Sequence, residues 1–233
     1  MLRFHKILDW GASLLLLSLF CAAWFLILVV KGAVGPYAWW FLIILGWVGL
    51  FCSLLGLLRL MFSLLRKKPF SLPQLLFWLA ACLVSWPGGW IFGLGQIAYP
   101  ADLNTVLPRA EIRLPVNRPV LIGWGGDTLQ HNYHAWMPFE RWAYDLLIPP
   151  AAHKSSRLED YGIYGEKVVA PAAGWVTAAF DDEPDIPPGS EDYLSTEGNH
   201  IFIRLQKTGT YLVLAHLKQH SVKVQVGQFV EIG

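Results

Sequence analysis

Histidine and aspartate carry most of the chemistry that this 233-residue chain offers outside its apolar stretches. Six of its seven histidines, His131, His134, His153, His200, His216 and His220, lie beyond residue 101. Neutral imidazole and carboxylate are the groups from which zinc sites are built, and a catalytic site uses three protein ligands with one position open to water. His134, Asp145 and His216 are the candidates, because strand-like sequence flanks each one and would hold it rigidly. The competing reading of an isolated histidine on a β surface is structural or solvent-facing. His131, His153 and His220 adjoin polar or turn sequence and read as solvated. His200 follows Asn199 at a strand start, where it would pack or cap locally.

The elements that must position these residues read as all β. Short, β-branched segments bounded by turn residues predict strands at Arg118–Trp124, Lys167–Ala170, Gly174–Phe180, His200–Leu205, Tyr211–His216 and Ser221–Val226. Asp181–Ser190, rich in Asp, Pro and Gly, is expected as a surface loop, and Lys207–Thr210 as a hairpin turn. Pro and Gly punctuate Val169–Val176 and Val224–Gly233 as they do where small antiparallel sheets fold back on themselves. The expected class for residues 119–233 is therefore a β sandwich or barrel. No cysteine occurs there, which excludes a disulfide-stapled or thiol-dependent domain.

The first hundred residues are a different material. The whole chain is 55% hydrophobic and only 15% charged, and the imbalance is concentrated at the N-terminus. Only a helix satisfies its own backbone in lipid, and roughly 20 apolar residues span the bilayer core. Trp10–Val30, Ala38–Leu58 and Leu72–Leu94 meet that length. Pro87, Gly88 and Gly89 would kink the third run or end it near Trp86, so two spans and a partial third are the alternative. Trp10, Trp39, Trp40, Trp86 and Trp90 fall near span ends, where the headgroup zone favours an amphipathic ring; Trp24 and Trp47 read as packing residues. A cleaved signal peptide is disfavoured by the length of the first run and by the two that follow. The expected organisation is a transmembrane region over 1–98, a linker over 99–118 and a β domain over 119–233.

Charge gives the anchor a direction. Residues 1–100 carry seven Lys/Arg and one Asp, a net of +6. Arg3 and Lys6 precede the first run, and Arg59, Arg66, Lys67 and Lys68 follow the second, with only Lys31 between. Cations are retained on the cytoplasmic side, so the N-terminus is expected inside and, after three spans, the β domain outside. Residues 101–233 carry eleven Lys/Arg against sixteen Asp/Glu, a net of −5. That balance excludes an electrostatic footprint for nucleic acid.

The order of phrases in the second half resembles the LytM/lysostaphin-type zinc metallopeptidases, which cut peptides of the bacterial cell wall. The phrases are Asn132-Tyr133-His134, Arg141-Trp142-Ala143-Tyr144-Asp145, Tyr164-Gly165, Val169-Ala170-Pro171-Ala172-Ala173-Gly174, Gly198-Asn199-His200-Ile201, Leu214-Ala215-His216-Leu217 and Val226-Gly227-Gln228. The resemblance implies that Asp145 is a Zn2+ ligand. Arg141 stands where the family has a histidine ligand, and a guanidinium has no lone pair to donate. The resemblance then makes His134 the substitute ligand, while Arg141 by its own chemistry reads as a salt-bridge partner of a nearby carboxylate. His216 corresponds to the family's non-ligand histidine beside the metal.

The family's last element, a His-x-His phrase carrying the third ligand, is expected some tens of residues beyond the Val-Gly turn. The chain reaches Gly233 before it, which reads as truncation, the alternative being a site that has been lost. The implied activity is a membrane-anchored zinc endopeptidase with peptidoglycan peptides and the lipid bilayer as partners. The competing function is a non-catalytic relative that binds wall peptides or regulates another hydrolase. A biotinyl- or lipoyl-like adaptor would need a carrier lysine in a hairpin, or long coiled-coil arms, and neither is evident.

Overall fold

The computed structural model describes residues 2–101, 108–151, 154–190 and 195–233. Part of the expected linker and the whole of His153 lie outside these. Contacts divide the chain into two compact units: Met1–Pro100 with Gly125–Ala143, and Ala101–Trp124 with Tyr144–Gly233.

The first unit is built on α1 (Leu2–Phe25), α2 (Val34–Leu65) and α3 (Leu72–Ser85). A π-helical turn, Leu26–Val30, extends α1, and 3-10 turns at Trp86–Phe92 extend α3. The result is three helices long and apolar enough to cross a membrane, Lys6–Val30, Val34–Leu65 and Leu72–Phe92. The second has 32 residues, about 48 Å at the α-helical rise, so it must tilt in a bilayer core of roughly 30 Å or project from it. Exposed leucines such as Leu14, Leu15, Leu54 and Leu58 give these helices an apolar outer surface.

Pro87 does not end the third helix; it changes its winding. Pro87-Gly88 is where α2 approaches most closely. A Cβ added to Gly46 would stand 2.3 Å from the Gly88 backbone nitrogen, and one added to Gly49 would stand 2.7 Å from that of Ser85. Small residues permit such backbone approach between apolar helices. Trp39 and Trp90, expected near span ends, are both fully buried, their ring centroids 4.4 Å apart. Trp24, Trp86 and Tyr99 complete this aromatic cluster edge to face or stacked. Indoles stacked this densely contribute through apolar area and ring geometry together.

The second unit contains two antiparallel sheets. β1 (Leu121–Trp124) pairs with β2 (Asp145–Leu147). β3 (Gly174–Phe180), β4 (Asn199–Leu205), β5 (Tyr211–Leu217) and β6 (Phe229–Val230) form a four-stranded sheet in the order β5-β4-β3-β6. The sheet is open at β5 and β6, so of the two expected forms, sandwich or barrel, a closed barrel is not formed. Val176, Ile203 and Leu205 are buried, while Trp175, Thr177 and Arg204 are exposed. That is the period-2 pattern of a sheet with one covered face.

Two expected strands are absent. At Ser221–Val226 the donors a ladder needs are taken by side chains: Ser221 and Val222 donate to the Asp181 carboxylate at 3.0 and 3.1 Å, and Gln225 to Gln228 Oε1. Such local acceptors compete with sheet formation. At Lys167–Ala170 the backbone instead meets single partners, with Val169 donating to Pro115 and Gly233 to Ala170. The first strand begins only at Leu121, beyond Pro119, whose ring nitrogen has no proton to donate.

Candidate functional site

His134 and Arg141 belong to the 125–143 segment of the helical unit, and this segment is tied by buried polar groups. Asn132 is fully buried. Its carbonyl oxygen caps the 3-10 turn Tyr133–Trp136 by accepting from the His134 N–H at 3.1 Å, and its amide donates to the Gly126 carbonyl at 3.0 Å. The turn delivers the His134 side chain, nearly buried, to Glu140: Nδ1 to Oε2 is 2.8 Å. In the tautomer that donates from Nδ1 to this carboxylate, the imidazole lone pair would be on Nε2. Outer-shell carboxylates hold metal-binding histidines in this tautomer.

Arg141 is 4% exposed and is held on two sides. Nη2 donates to the Asp127 carboxylate at 2.5 Å and to the Asp127 carbonyl at 3.0 Å, while Nε donates to the Tyr99 carbonyl at 2.9 Å. Its guanidinium carbon lies 4.3 Å from the centroid of the Trp142 ring. The carboxylate-partner reading of Arg141 therefore describes the side chain found here. Burial pushes the Tyr99 phenol above its ordinary pKa, and its hydroxyl occupies the space that a side chain at Gly35 would need.

Asp145 and His216 lie in the β unit, each at an irregularity of a sheet. Ile122 pairs with Leu146 and Trp124 with Asp145, so Gly123 is an extra residue bulged opposite the start of β2. Asn199 pairs with Leu217 and Ile201 with Leu214, which leaves Ala215 and His216 opposite His200 alone. His216 takes a left-handed backbone, φ 55°, with its N–H donating to the Glu197 carbonyl at 2.9 Å. Bulges re-aim side chains and are over-represented beside functional sites. A non-glycine residue at positive φ is a further sign of a position the surroundings impose. His216 is exposed at the end of β5.

The remaining histidines divide as their neighbours dictate. His131 is exposed and bonds to Thr128, and His220 is exposed. His200 has Nδ1 2.7 Å from the Gly198 carbonyl and its ring against Phe180 and Phe202. Sequence reasoning missed Glu140, Asp127 and Asn199, the last of which is buried and exchanges hydrogen bonds with both backbone groups of Glu183. Asn199 pins the acidic loop, where Asp185 also accepts from the Gln219 N–H at 2.7 Å and the Tyr164 hydroxyl at 3.0 Å. Nothing in local spacing marks these partners, because each bond joins residues brought together by the fold.

His134 and Asp145 are donors of the types that zinc accepts, and they fall in different units. Among the described residues, no group of three or more His, Cys, Asp or Glu side chains is gathered as a metal site requires. Comparison with protein-family models, characterised proteins and solved structures finds no match.

Proposed function

We propose that this chain is a membrane-anchored relative of the lysostaphin-type zinc peptidases, acting on the peptides of bacterial peptidoglycan. The observation that carries the reading is the Glu140-backed imidazole of His134, at the position where the family resemblance places its substitute ligand. Asp145 at a bulged strand pair and His216 at a bulged, left-handed position support it. In this reading the two antiparallel sheets are the layers of a small sandwich. The N-terminus and the 66–71 turn face the cytoplasm, and the β domain faces the wall.

Zinc, when bound, would supply an activated water and polarise the scissile carbonyl. His134, backed by Glu140, is a ligand of the type such a metal takes, and Asp145, in the other unit, is the second ligand that the resemblance names. His216 would hydrogen-bond the charge that develops on the substrate oxygen, a contribution typical of a positioned acid or base. The resemblance assigns no third ligand to a residue of this sequence.

A second reading has its own support. Arg141 fills a ligand position of the family with a buried, ion-paired cation, which suits a non-catalytic domain that binds wall peptides. Elemental analysis of the purified full chain, paired with turnover of defined wall peptides, separates the two. The peptidase reading expects about one zinc per chain, lost in His134→Ala, with new amino termini released from the peptide. A zinc-free protein that retains peptides without cutting them would establish the binding module instead.

A further inference from the structure

Among residues 1–100 there is one carboxylate, Asp9, and it already has its partner. Arg59 reaches from α2 to grip both oxygens, at 2.7 and 3.0 Å. The turn from α2 to α3 then places Arg66, Lys67 and Lys68 in succession, all three exposed. No ion pair neutralises any of them among the described residues. Lys67 has φ 54°, and the reversal is tight: Lys68 donates to the Ser63 carbonyl and Lys67 to that of Leu64. The flanks are apolar and outward-facing, with Leu64, Leu65, Phe70 and Leu72 all exposed.

A helix C-terminus favours a neighbouring cation through its dipole, but three consecutive charges exceed what one helix end balances. The turn joins two helices long enough to cross a membrane, so its cations stand where lipid phosphates stand. The apolar side chains on either side stand where acyl chains begin. An acidic soluble partner would match the charge and leave Leu65 and Phe70 unmatched. We propose that the α2–α3 turn is a binding site for anionic phospholipid headgroups, with Arg66, Lys67 and Lys68 holding the phosphate. Leu65 and Phe70 lie along the adjoining acyl chains. Each cation near an anionic surface strengthens attraction by about fivefold, and the effect is screened by salt.

The test uses the full chain in phosphatidylcholine nanodiscs doped with fluorescent phosphatidylglycerol or, as control, fluorescent phosphatidylcholine. Energy transfer from protein to probe reads enrichment beside the chain. The expected result is a several-fold preference for phosphatidylglycerol that declines as salt rises. It should fall to the control level in R66Q/K67Q/K68Q and persist in the charge-preserving R66K/K67R/K68R. Should the triple glutamine variant fail to fold, the single variant K68Q and the salt series on the unsubstituted chain still decide. Equal enrichment of both lipids, or a preference that survives loss of the charges, would overturn the proposal. So would displacement by inorganic phosphate at constant ionic strength, which would identify a free-phosphate site instead.

Discussion

At position 141 a guanidinium ties a buried segment together by an ion pair and backbone hydrogen bonds. Arg141 joins the Asp127 carboxylate to the Tyr99 carbonyl from a buried position, and Asn132 secures the same segment through three further backbone carbonyls. Breaking a fully buried ion pair costs 3–5 kcal/mol. Asp127 is 56% exposed and would regain water, so Arg141→Gln should cost about 2 kcal/mol, less than the fully buried figure. Thermal unfolding in detergent, with limited proteolysis of the 125–143 segment, checks this; an unchanged midpoint and cleavage pattern would contradict it. On the peptidase reading proposed above, His134→Ala should act differently, lowering zinc content while leaving the Arg141 contacts in place. The sequence named Arg141 as unfit for zinc because that follows from its chemistry alone. Asp127 and Glu140 were not legible, since neither lies at a spacing that a regular element would bring into register.

The helices and strands were legible where one period dominates. β3 appears at Gly174–Phe180 as expected, and β4 and β5 match within a residue at either end. The expectation failed where side chains captured backbone donors, as Asp181 does at Ser221 and Val222. The 3-10 winding after Ser85 follows from Pro87, but its purpose is visible only across the helix pair. Gly46→Ala should therefore force α2 and α3 apart and cost about 1–3 kcal/mol, the range for overpacking. Gly11→Ala, with nothing within 4 Å of the new methyl, should be neutral or slightly stabilising. Thermal midpoints of the two variants in the same detergent make the comparison, and equal losses would show that the close approach is not what constrains Gly46. In the β unit, Asn199→Ala should release the acidic loop from Glu183 and cost about 2 kcal/mol through two unsatisfied backbone groups. Faster amide exchange at Asp182–Asp185 should accompany the loss; unaltered exchange would contradict it.

For the molecule as a whole, three long apolar helices precede antiparallel sheets, and composition alone made that order readable. The way the chain shares itself between its units was less legible. Gly125–Ala143 groups with the helices although its polar sequence resembles the β domain around it, because Tyr99 and Ala135, not local composition, hold it there. Both functional readings, peptidase and wall-peptide binder, require the β domain to lie on the side of the membrane opposite the 66–71 turn. Ser190 is exposed in the acidic loop and Lys68 in that turn, so a cysteine at either position reports its side. Labelling of intact spheroplasts with a membrane-impermeant maleimide, with the unsubstituted chain as background, tests the arrangement directly. Ser190→Cys should label in intact spheroplasts and Lys68→Cys only after lysis; the reverse pattern, or labelling of both only after lysis, would contradict an outward-facing wall domain.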